Sequence, residues 1–311
     1  MKIHYDSNRN NQRSPSLNLI KIWLLAIRPK TLPAATGPVI VGIGLAIRDS
    51  VFNFGPALGA LLVALLLQIG SNLANDVYDY QKGTDTQERM GPLRVTQAGL
   101  LSPRQVIQGM WVVFGLAALL GLYLVSIGGW PILVIGLLAI LSAIAYTAGP
   151  YPLGYHGLAD LFVFIFFGPI AVCGTYYLQA GSVSPLAWWS SLPPGFLVTA
   201  ILVVNNLRDI ETDRKAGKKS LAVRFGVRFT QSQYILFLGL AYLVPLIMRF
   251  SEASPSTVLL SWLSLPLVIP VLKDVLTKKG PPLNATLAGT ARLGLIYSFL
   301  FSIGLILDRL L

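Results

Sequence analysis

Apolar runs of 16 to 24 residues recur along the chain, each closed by a short polar break. About 20 such residues carry a helix across the hydrocarbon core of a bilayer, where a spanning backbone must satisfy its own polar groups. Nine helices are predicted, near 32–47, 55–78, 104–127, 130–148, 157–179, 186–208, 230–249, 256–274 and 287–308. The pattern predicts an all-α polytopic membrane protein. Residues 1–20 are polar and lack the apolar core and cleavage site of a signal peptide. They read as an arm ahead of a single transmembrane domain over 21–311.

Two acidic runs interrupt this pattern, NLANDVYDYQKGTD from Asn72 and NNLRDIETDRKAGKKSLAVRFG from Asn205. Seven of the 13 acidic residues fall here: Asp76, Asp79, Asp85, Glu88, Asp209, Glu211 and Asp213. Each run follows an apolar stretch, where carboxylates are costly without a partner. Four helices separate the runs, so both emerge on one membrane face. That spacing implies two parallel four-helix halves around a central cavity, plus a ninth helix, with a site between the halves.

Composition and charge sharpen the class. The chain is 54% hydrophobic, only 12% charged, and has a net charge of +11. Its basic residues are unevenly placed: 20 of 24 fall on one set of loops and flanks. That asymmetry is the positive-inside pattern. It places the N-terminus and both acidic runs on the cytoplasmic side and the C-terminus outside, and it removes the reason to invoke nucleic acid. Cys173 is alone, so neither an internal disulfide nor a thiolate metal site can form.

Spacing within the runs suggests chemistry. Asn72, Asp76 and Asp79, like Asn205, Asp209 and Asp213, repeat at three or four residues and share a helical face. Oxygen donors crowded on one face repel unless a cation sits among them. Hard oxygens with open positions suit Mg²⁺ completed by substrate phosphates. Helix capping is the plain alternative for either run alone, and for Glu88 surface charge is the better reading. Cations follow each run: Lys82, Arg89 and Arg94 after the first, Lys218, Lys219 and Arg224 after the second. They can neutralise a departing diphosphate. Any of them can instead be a topological anchor, a reading that stands level for Lys82 and Lys219; Arg94 and Lys218 lie near glycines that admit a ligand.

With these residues the chain resembles the UbiA superfamily of intramembrane prenyltransferases, most closely its 1,4-dihydroxy-2-naphthoate (MenA-type) branch. The resembling segments are RPKTLPAA at 28–35, the first acidic run, GPLRVTQAG, YTAGPYPLGYHGLADLFVFIFFGP at 146–169, and the second acidic run. The 4-hydroxybenzoate branch carries a basic residue after its fourth-loop tyrosine; here Tyr146 leads into a neutral segment. The resemblance implies Mg²⁺-dependent transfer of a phytyl or polyprenyl group from its diphosphate to dihydroxynaphthoate, with loss of CO₂, in phylloquinone or menaquinone biosynthesis. It implies metal ligation by Asn72, Asp76, Asp79, Asn205, Asp209 and Asp213. It implies diphosphate contacts from Arg94, Lys218 and Arg224, and a carboxylate contact from Lys30, which can equally be a snorkelling anchor.

Other residues remain open between roles. Tyr146, Tyr151 and Tyr155 can stabilise an allylic cation or form an interfacial belt. Asp160, a carboxylate inside a span, is a substrate-binding candidate by position, whereas His156 reads as a helix-start residue. Phe162, Phe164, Phe166 and Phe167 read as packing or as tunnel lining, and Gly136 and Gly174 as close helix contacts. Competing functions are a sibling enzyme acting on homogentisate, 4-hydroxybenzoate, haem or chlorophyllide, and, from another class, a secondary transporter with paired carboxylates. A non-enzymatic scaffold would leave the clustered carboxylates unexplained.

Overall fold

The computed structural model describes residues 18–85, 89–250, 256–307 and 309, so Glu88 and residues 1–17 of the expected arm lie outside them. Every regular element described is helical. In order these are α1 (Leu19–Ile27), α2 (Leu32–Arg48), α3 (Phe54–Gln81), α4 (Pro103–Gly128), α5 (Trp130–Ala145) and α6 (Ala159–Ile165). A widened turn at Phe166–Ile170 joins α6 to α7 (Ala171–Ala180), followed by α8 (Pro185–Lys215) and α9 (Leu221–Phe250). A 3-10 segment (Ser256–Leu267) runs into α10 (Val268–Thr277), and α11 (Leu283–Leu307) ends the fold. Eight segments are long and apolar enough to cross a membrane, and the shorter apolar α5 brings the crossings to nine among the described residues.

Differences from the expected boundaries have local causes. An additional helix, α1, precedes the first expected span; Asn18 Oδ1 accepts from Ile20 N at its start. It stops at Arg28, which adopts a left-handed conformation (φ 56°) before Pro29, and a proline disfavours helix in the residue before it. Helix α8 continues to Lys215 rather than ending near 208, so the run's three carboxylates, Asp209, Glu211 and Asp213, all ride on one helix. Helix α9 is kinked at Gly226, whose φ of 81° an L side chain would resist. The widened turn contains Pro169, which lacks the N–H that a regular ladder needs.

The first half comprises α2–α5 and the second α6–α10. Helix α11 closes the bundle by packing on α2, on the 3-10 segment and on α8. Small residues set this approach. A Cβ on Gly37 or Gly44 would lie 2.9 Å from Ser298 Oγ or 2.8 Å from Ser302 Cβ on α11. One on Gly42 would lie 2.6 Å from Thr175 Cβ and 2.8 Å from the Val172 carbonyl of α7. Such close backbones are how helices gain contact energy in lipid. The expectation that Gly136 and Gly174 serve this purpose is corrected: a Cβ on either meets nothing within 4 Å. The reason is orientation, which glycine counts do not carry. Outward, α4 and α5 expose Trp111, Leu119, Trp130 and Leu141, the apolar belt a bilayer would cover.

Replacing Gly42 by Val should therefore force α2 and α7 apart and cost about 1–3 kcal/mol, the usual range for overpacking. Gly136→Ala should be neutral or slightly stabilising. Unfolding midpoints of the purified variants in detergent measure both; equal midpoints would refute the close α2–α7 contact.

Candidate active site

Both acidic helix ends meet at one end of the bundle, beneath a cover made by residues 82–85, 89–102 and 146–158. On α3, Asp76 is fully buried and accepts from Val95 N (Oδ2, 3.1 Å) and Thr96 N (Oδ1, 3.0 Å). It therefore ties down the loop that carries Arg94. One turn on, Asp79 accepts from Tyr155 Oη at 2.6 Å and from Arg94 Nη2 at 2.7 Å. Arg94 also faces Asp85 (Nε to Oδ2, 3.0 Å), which Arg89 pairs from its other side. Charge-assisted bonds of this kind are the strong ones, so Asp76, Asp79 and Asp85 draw residues 89–96 over the end of α3. Arg94 is 5% exposed, unlike an anchor at a lipid interface.

On α8, the Arg208 guanidinium takes both oxygens of Asp209 (2.8 and 2.5 Å), Asn205 Oδ1 (2.7 Å) and Asn284 Oδ1 (2.7 Å). Asn284 Nδ2 in turn donates to Met90 O at 2.9 Å. The Arg208 side chain reaches Gly91, where a Cβ would lie 2.9 Å from both its Nη2 and that of Arg89. The first half's loop thus rests on the second half's arginine. Asp213 pairs with Lys218 Nζ at 3.2 Å.

The two clusters face one another through Tyr155. Lys218 Nζ lies 4.9 Å above its ring and Lys82 Nζ 5.1 Å from it on the same ring system, while its hydroxyl reaches Asp79 and also lies 3.0 Å from Thr84 Oγ1. Burial, and then the Asp79 charge, push the Tyr155 phenol well above its ordinary range, so it stays protonated and keeps donating to Asp79. Burial lowers the Lys82 ammonium, against the opposing pull of Asp79. Arg89 is likewise lowered by burial first and by Arg94 next. Arg89 is thus a cation drawn into a crowded, poorly hydrated site, whereas Lys82 remains exposed.

Other expected residues fall as follows. Tyr146 lies at the α5 exit, within electrostatic range of Asp160, Asp79 and Asp213. Asp160 is buried on the first turn of α6; its Oδ1 accepts from Gln233 Nε2 at 3.1 Å, and its Oδ2 has no partner among the described residues. Asn72 donates to Ile27 O and to Thr31 Oγ1, both at 2.9 Å, and accepts only a long 3.4 Å bond from Gln68. It braces the α1–α2 elbow. Lys30 is exposed, and Arg224 is an exposed rim residue donating to His156 O. Tyr151 is exposed and stacks on His156 at 3.5 Å, with His156 Nδ1 against Pro152 O, so this pair shapes the loop.

Sequence reasoning passed over Arg28, Arg208, Asn284, Gln233 and Asn75, which accepts from the buried Thr147. Arg208 was counted only toward orientation, although a cation beside Asp209 in an apolar helix was itself a signal. Asn284, Gln233 and Asn75 are ordinary polar residues until the chain brings partners to them.

A metal fit can be tested on the donors. Among the described residues, no three acidic, histidine or cysteine side chains converge to enclose an ion. Mg²⁺ is commonly held by one or two carboxylates with substrate phosphates completing the shell. Oxygen donors split between two facing helices therefore fit an ion that arrives with a phosphate ligand.

The site is therefore a pair of facing carboxylate clusters beneath a basic cover at one end of a membrane-spanning helical bundle. The sequence profile of the UbiA prenyltransferase family matches residues 35–301, and the chain belongs to that family; it is an integral, multi-pass membrane enzyme of prenyl transfer. It is 38% identical to the 1,4-dihydroxy-2-naphthoate octaprenyltransferase of Haemophilus influenzae over 93% of this chain and 96% of that one. It is 31% identical to the 2-carboxy-1,4-naphthoquinone phytyltransferase of Synechocystis sp., over 82% of each. In structure it is similar to a UbiA homolog from Aeropyrum pernix (TM-score 0.67, 16% identity, 88% of this chain and 97% of that chain). A UbiA homolog from Archaeoglobus fulgidus bound to DMAPP and Mg²⁺ gives a TM-score of 0.60 at 18% identity, covering 90% and 99%.

Loss of Asp76 should free the cover loop. Each backbone bond to its carboxylate is worth about 1.5–3 kcal/mol, so Asp76→Ala should speed amide exchange at Val95 and Thr96 by at least about tenfold. Hydrogen–deuterium exchange on purified protein checks this. Unchanged protection of residues 95–101 would show that the loop is held without Asp76.

Proposed function

We propose that this enzyme transfers a phytyl or polyprenyl group from its diphosphate to 1,4-dihydroxy-2-naphthoate, with loss of CO₂, on the route to phylloquinone or menaquinone. The observation that carries the reading is the charge-paired bridge Asp213–Lys218–Tyr155–Asp79–Arg94, which joins the two acidic helix ends. Naphthoate prenyltransferases among the relatives supply the substrate class.

In this reading Asp76, Asp79, Asp209 and Asp213 are catalytic carboxylates that hold Mg²⁺, with Asn72 and Asn205 as neutral oxygen donors. Bound Mg²⁺ would supply Lewis-acid neutralisation of the diphosphate. Arg94 and Lys218 bind the diphosphate head and balance the charge that grows on it as the carbon–oxygen bond breaks; Arg224 and Lys30 meet anionic substrates at the rim. Tyr146, set among three carboxylates, offers its ring face to the allylic cation. Asp160 accepts a hydroxyl proton from the aromatic acid through its unpartnered Oδ2. The folded cover keeps water from the cation, and the tail extends among the apolar helices, where each buried methylene contributes about 0.8 kcal/mol.

Membranes or purified protein given dihydroxynaphthoate and an allylic diphosphate should yield prenylated product only with Mg²⁺. Asp79→Ala and Asp209→Ala should each abolish turnover while still inserting and folding. Near-parental turnover in either variant would sink the two-cluster mechanism, and metal-independent product would sink the Mg²⁺ assignment.

The same reading places the site on the cytoplasmic face. A cysteine at Thr84 should react with an impermeant thiol reagent only from that side, and Mg²⁺ with diphosphate should protect it. One at Gly181, at the opposite end of α7, should react only from the other side. Labelling of both from one face would overturn the orientation.

A further inference from the structure

Arg28 is the residue that the mechanism above leaves unused. Its side chain is 14% exposed, but Nε and Nη2 are shielded from solvent and have no hydrogen-bond acceptor among the described residues. The nearest carboxylate, Asp76, stands 3.6 Å from Nη2, and both its oxygens already accept from Val95 N and Thr96 N. Arg94 and Arg89 lie close enough to repel Arg28. A buried guanidinium with open donors and like-charged neighbours attracts an anion.

The local build holds that group in place. Arg28 keeps a left-handed φ of 56°, its carbonyl accepts from Thr31 Oγ1 at 2.9 Å, and Asn72 clamps the elbow from both sides. A non-glycine residue held there is over-determined by its surroundings, as happens at ligand clamps. The open donors are Nε and Nη2, the side edge of the guanidinium, whose two parallel N–H bonds match a planar carboxylate. Lys30, two residues on, is exposed and offers only a point charge.

We propose that the Nε/Nη2 edge of Arg28 docks the carboxylate of the aromatic substrate, leaving the diphosphate to Arg94 and Lys218. Arg28 is thus the specificity-determining residue for an aromatic acid, an assignment that rests on the substrate reading given above. The oxyanion chemistry is shared with a phosphate, so binding must be read for each substrate separately.

Direct binding of dihydroxynaphthoate, of 1,4-naphthalenediol (which lacks the carboxylate) and of an allylic diphosphate with Mg²⁺ is measured on the purified parent, Arg28→Ala and Arg28→Lys. Loss of a charged bidentate contact should weaken the acid by about 10–100-fold in Arg28→Ala, while the diol and the diphosphate bind as in the parent. Arg28→Lys, which keeps charge but not the fork, should weaken the acid alone and by less. Unchanged acid binding in Arg28→Ala, equal loss for the diol, or loss centred on the diphosphate would each overturn the assignment. If Arg28→Ala does not fold, parental acid binding by Arg28→Lys overturns it. A parent that turns the acid over while Arg28→Ala binds it normally refutes this inference alone; a parent that neither binds nor converts the acid refutes the substrate reading.

Discussion

A carboxylate held away from bulk water must find a cation or several N–H donors, because an uncompensated buried charge costs several kcal/mol. Asp76, Asp79, Asp85 and Asp209 are all nine-tenths buried or more, and the architecture around them answers that requirement. Asp76 takes two backbone amides, Asp79 a tyrosine and an arginine, Asp85 two arginines, and Asp209 the full fork of Arg208. Each partner comes from a loop or from the neighbouring residue on the helix. Meeting the electrostatic requirement therefore also closes the cover over the acidic helix ends.

That coupling joins the halves. Arg208 belongs to α8 but lies against Gly91 in the loop after α3, and Asn284 at the start of α11 holds Met90 of that loop. Tyr155, between the halves in sequence, is pinned by Asp79 and approached by the ammonium groups of Lys82 and Lys218. Backbone N–H of Lys219 adds a 2.7 Å bond to Tyr155 O. The apolar bundle supplies rigidity beneath through glycine-mediated contacts of α2 with α7 and α11. Rigid helices with a polar cap fit a reaction that needs a dry, positioned cation acceptor.

Within this arrangement two kinds of arginine can be told apart. Arg208 is taken up by Asp209, Asn205 and Asn284, and Arg94 is paired with Asp79 and Asp85 while its Nη1 stays open for a ligand. The Nε and Nη2 edge of Arg28 has neither a good acceptor nor access to water, which suits it to receive something brought in. The distinction rests on hydrogen-bond accounting, since all three are equal as charges.

Much of this was legible from the sequence by itself. Apolar run lengths determined the nine crossings, because bilayer thickness sets helix length regardless of packing. The repeat of oxygen donors at three and four residues placed Asp76, Asp79, Asp209 and Asp213 on helix faces, because helical geometry is local. Only the tertiary structure decided the rest. That Asp76 would hold Val95 and Thr96, that Arg208 would be a clamp and not an anchor, and that Gly42 would pack where Gly136 does not, all depend on contacts between distant residues. Lys30 and Arg28 differ by two positions and look alike as charges in a row of letters. The left-handed turn at Arg28 sends one to the surface and the other inward, because burial follows from how the elbow folds on α3 and not from residue type.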